Sequence, residues 1–247
     1  MNPIQSLGAT ALLLVRCVRA CLREGVPRRE CLIQLTALGV RSAWLVLSGM
    51  AFFGGVMIAI ANSQARRFTG NMTVVGPAYF ELLIREFGPI TSAVLSAARL
   101  GASSAAELSS MVISEQVEAL EMSAGDPLAD LVGPRLVASL LAIPALCILG
   151  TVAASTSAVF IATWAFGVDG SAFVDARYVG AADIVCGGLK AVLCGLYVPL
   201  AACAKGLAAR GGVDQVGMAT TGGVVSACLG CLVIDFVVGV AFAALGI

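Results

Sequence analysis

The sequence predicts an all-α integral membrane protein with an N-terminal interfacial amphipathic helix, five transmembrane helices, and a short cytoplasmic helix between the second and the third. Composition is the first reason: 59% of the 247 residues are hydrophobic and only 12% are charged, whereas a soluble domain carries about 25% charged residues. The second reason is the recurrence of apolar stretches of roughly 20 residues, the length of a transmembrane helix. We expect one domain over 1–247, with an interfacial region at 1–36 and the membrane bundle at 37–247.

Composition also excludes several kinds of function. The formal net charge is zero, so the chain lacks the basic character of nucleic-acid-binding proteins. Histidine is absent, which excludes Ser-His-Asp triads and HExxH zinc sites. The nine cysteines lie in or beside apolar runs or near the N-terminal arginines, where cysteine packs as a small apolar residue. Cys228-x-x-Cys231 has no second cysteine pair, so no metal site is predicted.

The N-terminal segment from Met1 to Glu24 has two distinct helical faces. Its arginines fall three and four residues apart on one face, and apolar residues line another. These residues are Arg16, Arg19 and Arg23 on the basic face and Leu12, Val15, Val18 and Leu22 on the apolar face. The pattern predicts an amphipathic helix in the cytoplasmic membrane interface. A frayed cytosolic tail is the alternative.

Five segments are predicted to cross the membrane. They run from Ser42 to Ala65, from about Ala78 to Leu108, from Arg135 to Asp169, from about Ala181 to Ala204, and from Val216 to Leu245. The second holds several charges, but its many small residues favour close packing against other helices. The third exceeds one perpendicular crossing, so we expect it to be tilted, kinked near Pro144, or followed by a re-entrant piece.

The distribution of lysine and arginine predicts a cytoplasmic N-terminus. Basic residues concentrate in cytoplasmic loops of membrane proteins. With the N-terminus inside, the cytoplasmic side holds Arg16, Arg19, Arg23, Arg28, Arg29, Arg135, Lys205 and Arg210. The far side holds Arg66, Arg67, Arg177 and Arg85 at most.

The acidic segment between the second and third spans is predicted to form a helix at about 110–125. Ser114 can cap it, Gly125 can end it, and Asp126-Pro127 prevents its continuation. Its two stripes are an apolar one of Ile113, Val117 and Leu120 and an acidic one of Glu115, Glu118 and Glu121. The segment is either a solvated connector or a helix that docks into a soluble partner.

Four ionisable residues fall inside the predicted spans: Arg99, Glu107, Lys190 and Asp235. Charges at membrane depth are costly and face the bundle interior or water. We expect Lys190 or Arg99 to be neutralised by Asp235 or Glu107. The alternatives to a purely structural ion pair are contact with a lipid headgroup and coupling to protons.

The outward half of the first span carries Met57, Ile60, Ala61 and Gln64. These side chains can line a path for acyl chains. Ordinary helix packing is an equally good interpretation for each of them.

Several stretches resemble the MlaE-type permease family, which comprises the transmembrane subunits of ABC transporters that work with MCE proteins on phospholipids or other lipids. The central matching stretches are Arg85 to Pro89 (REFGP), 98–102 (ARLGA), 106–108 (AEL), 115–120 (EQVEAL), Asp126-Pro127, and 131–135 (LVGPR). The end of the first span, 64–68 (QARRF), and the last span, 232–236 (LVIDF), are also similar.

The resemblance implies a set of partners and a location. It implies a bacterial inner membrane protein that pairs with a second permease copy, identical or related, and faces a periplasmic MCE protein. A cytosolic ABC ATPase is expected to bind the ATP and Mg²⁺ and to dock on the helix between the second and third spans, at Glu115, Gln116, Glu118, Ala119, Leu120, Asp126 and Pro127. This chain contains no G-x-x-x-x-G-K-[ST] motif, so it is predicted to be a non-catalytic subunit with no cofactor of its own.

Two other classes of function remain as alternatives. An ion-coupled secondary transporter or channel can use the four intramembrane charges, although such carriers are commonly built from duplicated halves, which this sequence lacks. An intramembrane enzyme is disfavoured because the chain has neither histidine nor a G-x-S-x-G motif.

Overall fold

A computed structural model describes residues 3–68, 75–167, 179–212 and 214–246, and these residues are almost entirely helical. The end of the predicted third span at Asp169, and Arg177, lie outside the described residues. In the described part of the chain the α-helices are α1 Pro3–Glu24, α2 Arg28–Leu35, α3 Arg41–Phe68, α4 Val75–Leu82, α5 Gly88–Ile113, α6 Gln116–Met122, α7 Gly133–Phe166, α8 Ala181–Leu207 and α9 Asp214–Ala244.

Three single π-helical turns each lead directly into a long helix. They are Thr36–Val40 before α3, Leu83–Phe87 before α5, and Leu128–Val132 before α7. The second and third, here called the 83–87 turn and the 128–132 turn, are both followed by Gly-Pro. Proline has no N–H to bond the carbonyl four residues earlier, so in both places one carbonyl of the turn lacks its usual helical donor.

Four helical segments of the described residues are long and apolar enough to cross a membrane. They are Arg28–Gln64, Leu128–Phe166, Ala181–Leu207 and Asp214–Ala244, and they correspond to the predicted first, third, fourth and fifth spans. The predicted second span corresponds mainly to α5, a helix of 26 residues that falls short in hydropathy. The count of five spans therefore stays a prediction.

The long helix α7 runs without interruption from Gly133 through Pro144 to Phe166, so the proline does not end it. Its 34 residues correspond to about 51 Å at 1.5 Å per residue, which exceeds the hydrocarbon thickness of about 30 Å. A tilt or a protruding end accommodates that excess. The re-entrant alternative concerns residues after Gly167, outside the described part.

Small residues bring the long helices into close contact. On α5 the buried positions include Ala93, Ala97 and Gly101, as the small-residue pattern predicted. A Cβ at Gly101 would lie 3.2 Å from the Cα of Val224 on α9. On α3, a Cβ at Gly54 would lie 2.3 Å from the carbonyl oxygen of Ala154 on α7, so these backbones touch.

The N-terminal helix α1 packs against α8 and the 128–132 turn. The contact includes Cys17, which is completely buried and whose Sγ lies 3.7 Å from the carbonyl oxygen of Leu128. Burial raises the pKa of the Cys17 thiol to about 12, and neighbouring Cys21 adds to the shift. The predicted apolar residues Leu12, Val15 and Val18 remain exposed. A position in the membrane interface stays a prediction.

Candidate functional site

The turn between α5 and α6 differs from the predicted cap. Ser114 Oγ donates to the carbonyl oxygen of Ser110 at 2.8 Å, so Ser114 closes α5 instead of capping α6. Glu115 then adopts a left-handed conformation with φ of +59°. This conformation is uncommon for a residue with a Cβ, and it turns the chain sharply into α6.

The end of α6 is also built differently from the prediction. Ala124, not Gly125, is the left-handed residue, with φ of +62°. The Gly125 N–H donates to the carbonyl oxygen of Leu120 at 3.1 Å, which closes the helix end. A Cβ at position 125 would lie 2.8 Å from Leu120 Cδ1 and 3.1 Å from Asp130 Oδ2, so glycine lets these side chains pack close to the backbone.

The Asp126-Pro127 pair starts the next helical segment. Asp126 Oδ1 accepts a hydrogen bond from the Leu128 N–H at 2.9 Å, which satisfies one of the unpaired donors at a helix start. Helix α6 thus ends before this pair, as predicted, and the chain re-enters the bundle through the 128–132 turn.

A cavity of about 750 Å³ lies between the α6 segment and the C-terminal end of α8. We call it the α6 groove. Its acidic residues are Glu115, Glu118, Glu121 and Asp126, and Arg210 is the one basic residue in its lining. Val117, of the predicted apolar stripe, also lines it. Gln116 and Ala119 are exposed nearby. Of the seven residues predicted to dock a partner, Glu115, Glu118, Asp126 and Pro127 therefore line the groove, whereas Leu120 is partly buried and does not line it.

At the other end of α5, Lys190 of α8 is the largest fully buried side chain of the described residues, with 1% of its surface exposed. Its Nζ forms ion pairs with Glu86 Oε2 and, at 3.0 Å, with Asp235 Oδ1. It also donates to the carbonyl oxygen of Arg85 at 3.4 Å. That carbonyl is the one that Pro89 cannot bond.

A second ion pair extends this cluster toward the start of α8. Arg85 Nη1 lies 3.1 Å from Asp183 Oδ1, and Asp183 Oδ2 accepts from the Gly180 N–H at 2.9 Å. Gly187 brings α8 against the 83–87 turn, because a Cβ there would lie 2.5 Å from the carbonyl oxygen of Ile84. We call these five charged residues the Lys190 cluster: Arg85, Glu86, Asp183, Lys190 and Asp235.

The sequence allowed Lys190 or Arg99 to pair with Asp235 or Glu107. Of these pairings, the described part of the chain contains only that of Lys190 with Asp235. Glu107 pairs with Arg135 at 2.8 Å, and Arg99 is exposed with no ion-pair partner among the described residues. Glu86 was not singled out from the sequence as a partner of Lys190. The signal for it was Arg85-Glu86 shortly before Gly88-Pro89, since the proline leaves a carbonyl of the preceding turn free to accept from a cation.

The four candidates for a lipid path do not share one environment. Met57 and Ala61 pack against the core between α3 and α7, as ordinary packing would have it. Ile60 is 50% exposed and Gln64 is exposed. The α6 groove lies at the opposite end of the bundle from these residues.

Comparison with known proteins assigns the family. Residues 31–241 match the protein-family profile described as Permease MlaE. The chain belongs to the MlaE permease family. It is therefore an integral membrane protein from a family of transporter permease subunits.

Relatives of this MlaE-family permease cover most of its length. A probable ABC transporter permease protein of Rickettsia felis is 27% identical over 236 residues, which cover 95% of this chain and 91% of that protein. The intermembrane phospholipid transport system permease protein MlaE of Haemophilus influenzae is 30% identical over 212 residues, covering 83% and 79%. TRIGALACTOSYLDIACYLGLYCEROL 1 of Arabidopsis thaliana, a chloroplastic protein, is 30% identical over 220 residues, covering 87% and 62%.

Proposed function

We propose that this MlaE-family permease is the membrane subunit of an ABC transporter that moves phospholipid or another lipid between the inner membrane and a periplasmic MCE protein. Support comes from the family, from relatives named as ABC permeases, and from the Haemophilus relative named for phospholipid transport. The single structural observation behind the proposal is the exposed acidic surface of α6 beside its groove.

The α6 groove suits a partner that carries positive charge. Its lining holds four carboxylates and one arginine, and such an imbalance favours a basic partner surface. We assign this partner as the cytosolic ATPase, which binds ATP and Mg²⁺. Helix α6 lies in the chain between α5 and α7, so it is connected to two long helices.

The exposed face of α5 supports pairing with a second permease copy. Among the described residues, each of the other long helices exposes large apolar side chains, whereas α5 exposes none. Its exposed positions include Ala98, Arg99 and Ser103. A face with an arginine near the middle of the helix is poorly suited to lipid tails, and small residues allow close helix approach.

Ion-coupled transport is the second candidate, and the Lys190 cluster is the observation that favours it. Three carboxylates and two cations lie together inside the bundle, and intramembrane chains of ionisable groups occur in proton-driven carriers. Collapse of the proton gradient would stop lipid movement in this case. It would leave movement driven by ATP unchanged.

Purification in detergent tests the proposal directly. We expect an ATPase subunit and bound lipid to co-purify with the chain, both identified by mass spectrometry. Glu118→Lys and Leu120→Asp should each reduce the co-purified ATPase by at least about tenfold, a loss of about 1.4 kcal/mol of binding free energy or more.

The matched control is Glu30→Lys, because Glu30 is an exposed carboxylate on α2 and is not among the residues that line the α6 groove. It should leave the ATPase bound. Undiminished ATPase in both α6 variants would overturn the docking assignment.

A further inference from the structure

A buried arginine, Arg135, bonds both sides of the junction where the segment containing α6 leaves and re-enters the bundle. Arg135, two residues into α7, is only 3% exposed. Its Nη2 lies 2.8 Å from Oε2 of Glu107, whose side chain is about half exposed. Glu107 lies six residues before the end of α5, or about 9 Å along its axis. The pair thus joins the two helices that α6 connects.

The same guanidinium also holds the 128–132 turn. Arg135 Nη1 donates to the carbonyl oxygen of Leu131. One rigid planar group therefore bonds the last part of α5 on one side and the turn that follows α6 on the other. Charge-assisted bonds from a planar fork are strong and directional, so they restrain the angle between these elements as well as their separation.

Packing around the pair is tight on both sides. A Cβ at Gly206 of α8 would lie 2.8 Å from Leu108 Cβ, next to Glu107. On the other side, Cys17 of α1 lies against the carbonyl oxygen of Leu128. By contrast, α6 itself has no buried residue and is bounded by the left-handed residues Glu115 and Ala124. The junction of α5 and α7 is therefore well packed, whereas α6, which connects them, is exposed.

We propose that Arg135 is a positioning residue that makes α5 and the start of α7 move as one body when α6 is displaced. Without the bonds from Arg135, a push on α6 would bend the turns at Glu115 and at 128–132 and would leave α5 in place. With them, the displacement reaches α5 and the bundle. This inference rests on the proposed function, in which the ATPase moves α6.

Arg135→Lys is the sharpest substitution, because it keeps the charge and most of the length. An ammonium is a point donor that cannot reproduce the planar fork, so Lys at this position cannot hold the Glu107 carboxylate and the Leu131 carbonyl in the same geometry. The double variant Arg135→Met/Glu107→Leu removes both bonds and leaves no unpaired buried charge.

The experiment compares the reconstituted complex of permease, ATPase and MCE protein in its wild-type and variant forms. We measure ATP hydrolysis and lipid transferred per ATP hydrolysed. In the double variant, ATP hydrolysis should stay within about twofold of wild type while lipid per ATP falls by about tenfold or more, a coupling loss of about 1.4 kcal/mol. The amount of lipid transferred per ATP by Arg135→Lys should lie between the values for the wild type and the double variant.

The control is Arg41→Met, which removes an exposed arginine at the start of α3, at the same end of the bundle. It should leave lipid per ATP unchanged. A wild-type ratio of lipid to ATP in the double variant would overturn the proposal, because the pair would then be a structural element only. Failure of both Arg135 variants to assemble would assign the pair to folding and would also overturn it. An absence of ATPase from the wild-type complex would contradict the proposed function instead.

Discussion

The turns beside the two ends of α5 share one backbone arrangement but differ in what surrounds them. At one end, the 83–87 turn precedes Gly88-Pro89 and a carbonyl of the turn accepts from Lys190. At the other, the 128–132 turn precedes Gly133-Pro134 and a carbonyl of the turn accepts from Arg135. In both, a buried cation bonds a carbonyl within a π-helical turn.

The difference lies in what surrounds each cation. Lys190 of α8 bonds groups from two other parts of the chain, namely the 83–87 turn and α9. Arg135 has one carboxylate partner, and that partner is half exposed. The Lys190 end is therefore built to hold its helices in register, whereas the Arg135 end remains accessible and leads to the α6 groove.

Lys190→Met should have the largest effect on stability. Removing one partner of a buried ion pair leaves uncompensated charge and costs about 3 kcal/mol or more. For a chain of this length we expect the midpoint of thermal unfolding in detergent to fall by about 6–12 °C.

Lys205→Met is the control for Lys190→Met, since Lys205 lies partly exposed at the end of the same helix. It should change stability by less than about 0.5 kcal/mol. Equal midpoints for the two variants would show that burial at the Lys190 end contributes nothing to stability.

Gly187→Ala should have an intermediate effect, because the new Cβ would meet the carbonyl oxygen of Ile84 at 2.5 Å. Overpacking of this kind costs about 2 kcal/mol, or a fall of about 4–8 °C in the unfolding midpoint.

The neighbouring Gly188→Ala is a matched control, because a Cβ there has nothing within 4 Å. It should be neutral or slightly stabilising, since alanine favours helix over glycine by up to about 1 kcal/mol. A destabilised Gly188→Ala with a normal Gly187→Ala would contradict the packing of α8 on the 83–87 turn.

Glu118→Cys should have the smallest effect on stability, because Glu118 is exposed. It sharpens the comparison by showing which end faces the cytosol. We expect a membrane-impermeant thiol reagent to label it in inverted vesicles and not in right-side-out vesicles. Gln64 lies near the C-terminal end of α3, at the opposite end of the bundle from Glu118. The reagent should label Gln64→Cys in right-side-out vesicles and not in inverted vesicles. Labelling of Glu118→Cys in right-side-out vesicles would show that the predicted orientation is wrong, and the basis for ATPase docking would be lost.

Much of the architecture could be predicted from the sequence, for reasons that are local. Apolar length identified four of the spans, and small residues predicted the close packing of α5. The acidic segment before Asp126-Pro127 predicted α6 itself, because helix-favouring residues and a proline act on their own neighbours. The left-handed Ala124 and the role of Ser114 were not predicted, since alanine is uncommon in a left-handed position and a serine side chain can bond backbone groups at either end of a helix.

What the sequence by itself determined is that this chain is a helical membrane protein with ionisable groups placed along its spans, because hydropathy and helical periodicity depend only on residues close together in the chain. The tertiary structure alone decided which charges meet. Glu107 bonds Arg135, and Glu86 joins Asp235 around Lys190, because the partner of a buried charge depends on how each helix is rotated and which neighbours it has. Those rotations are set by contacts such as Gly187 on Ile84, which join residues far apart in the sequence.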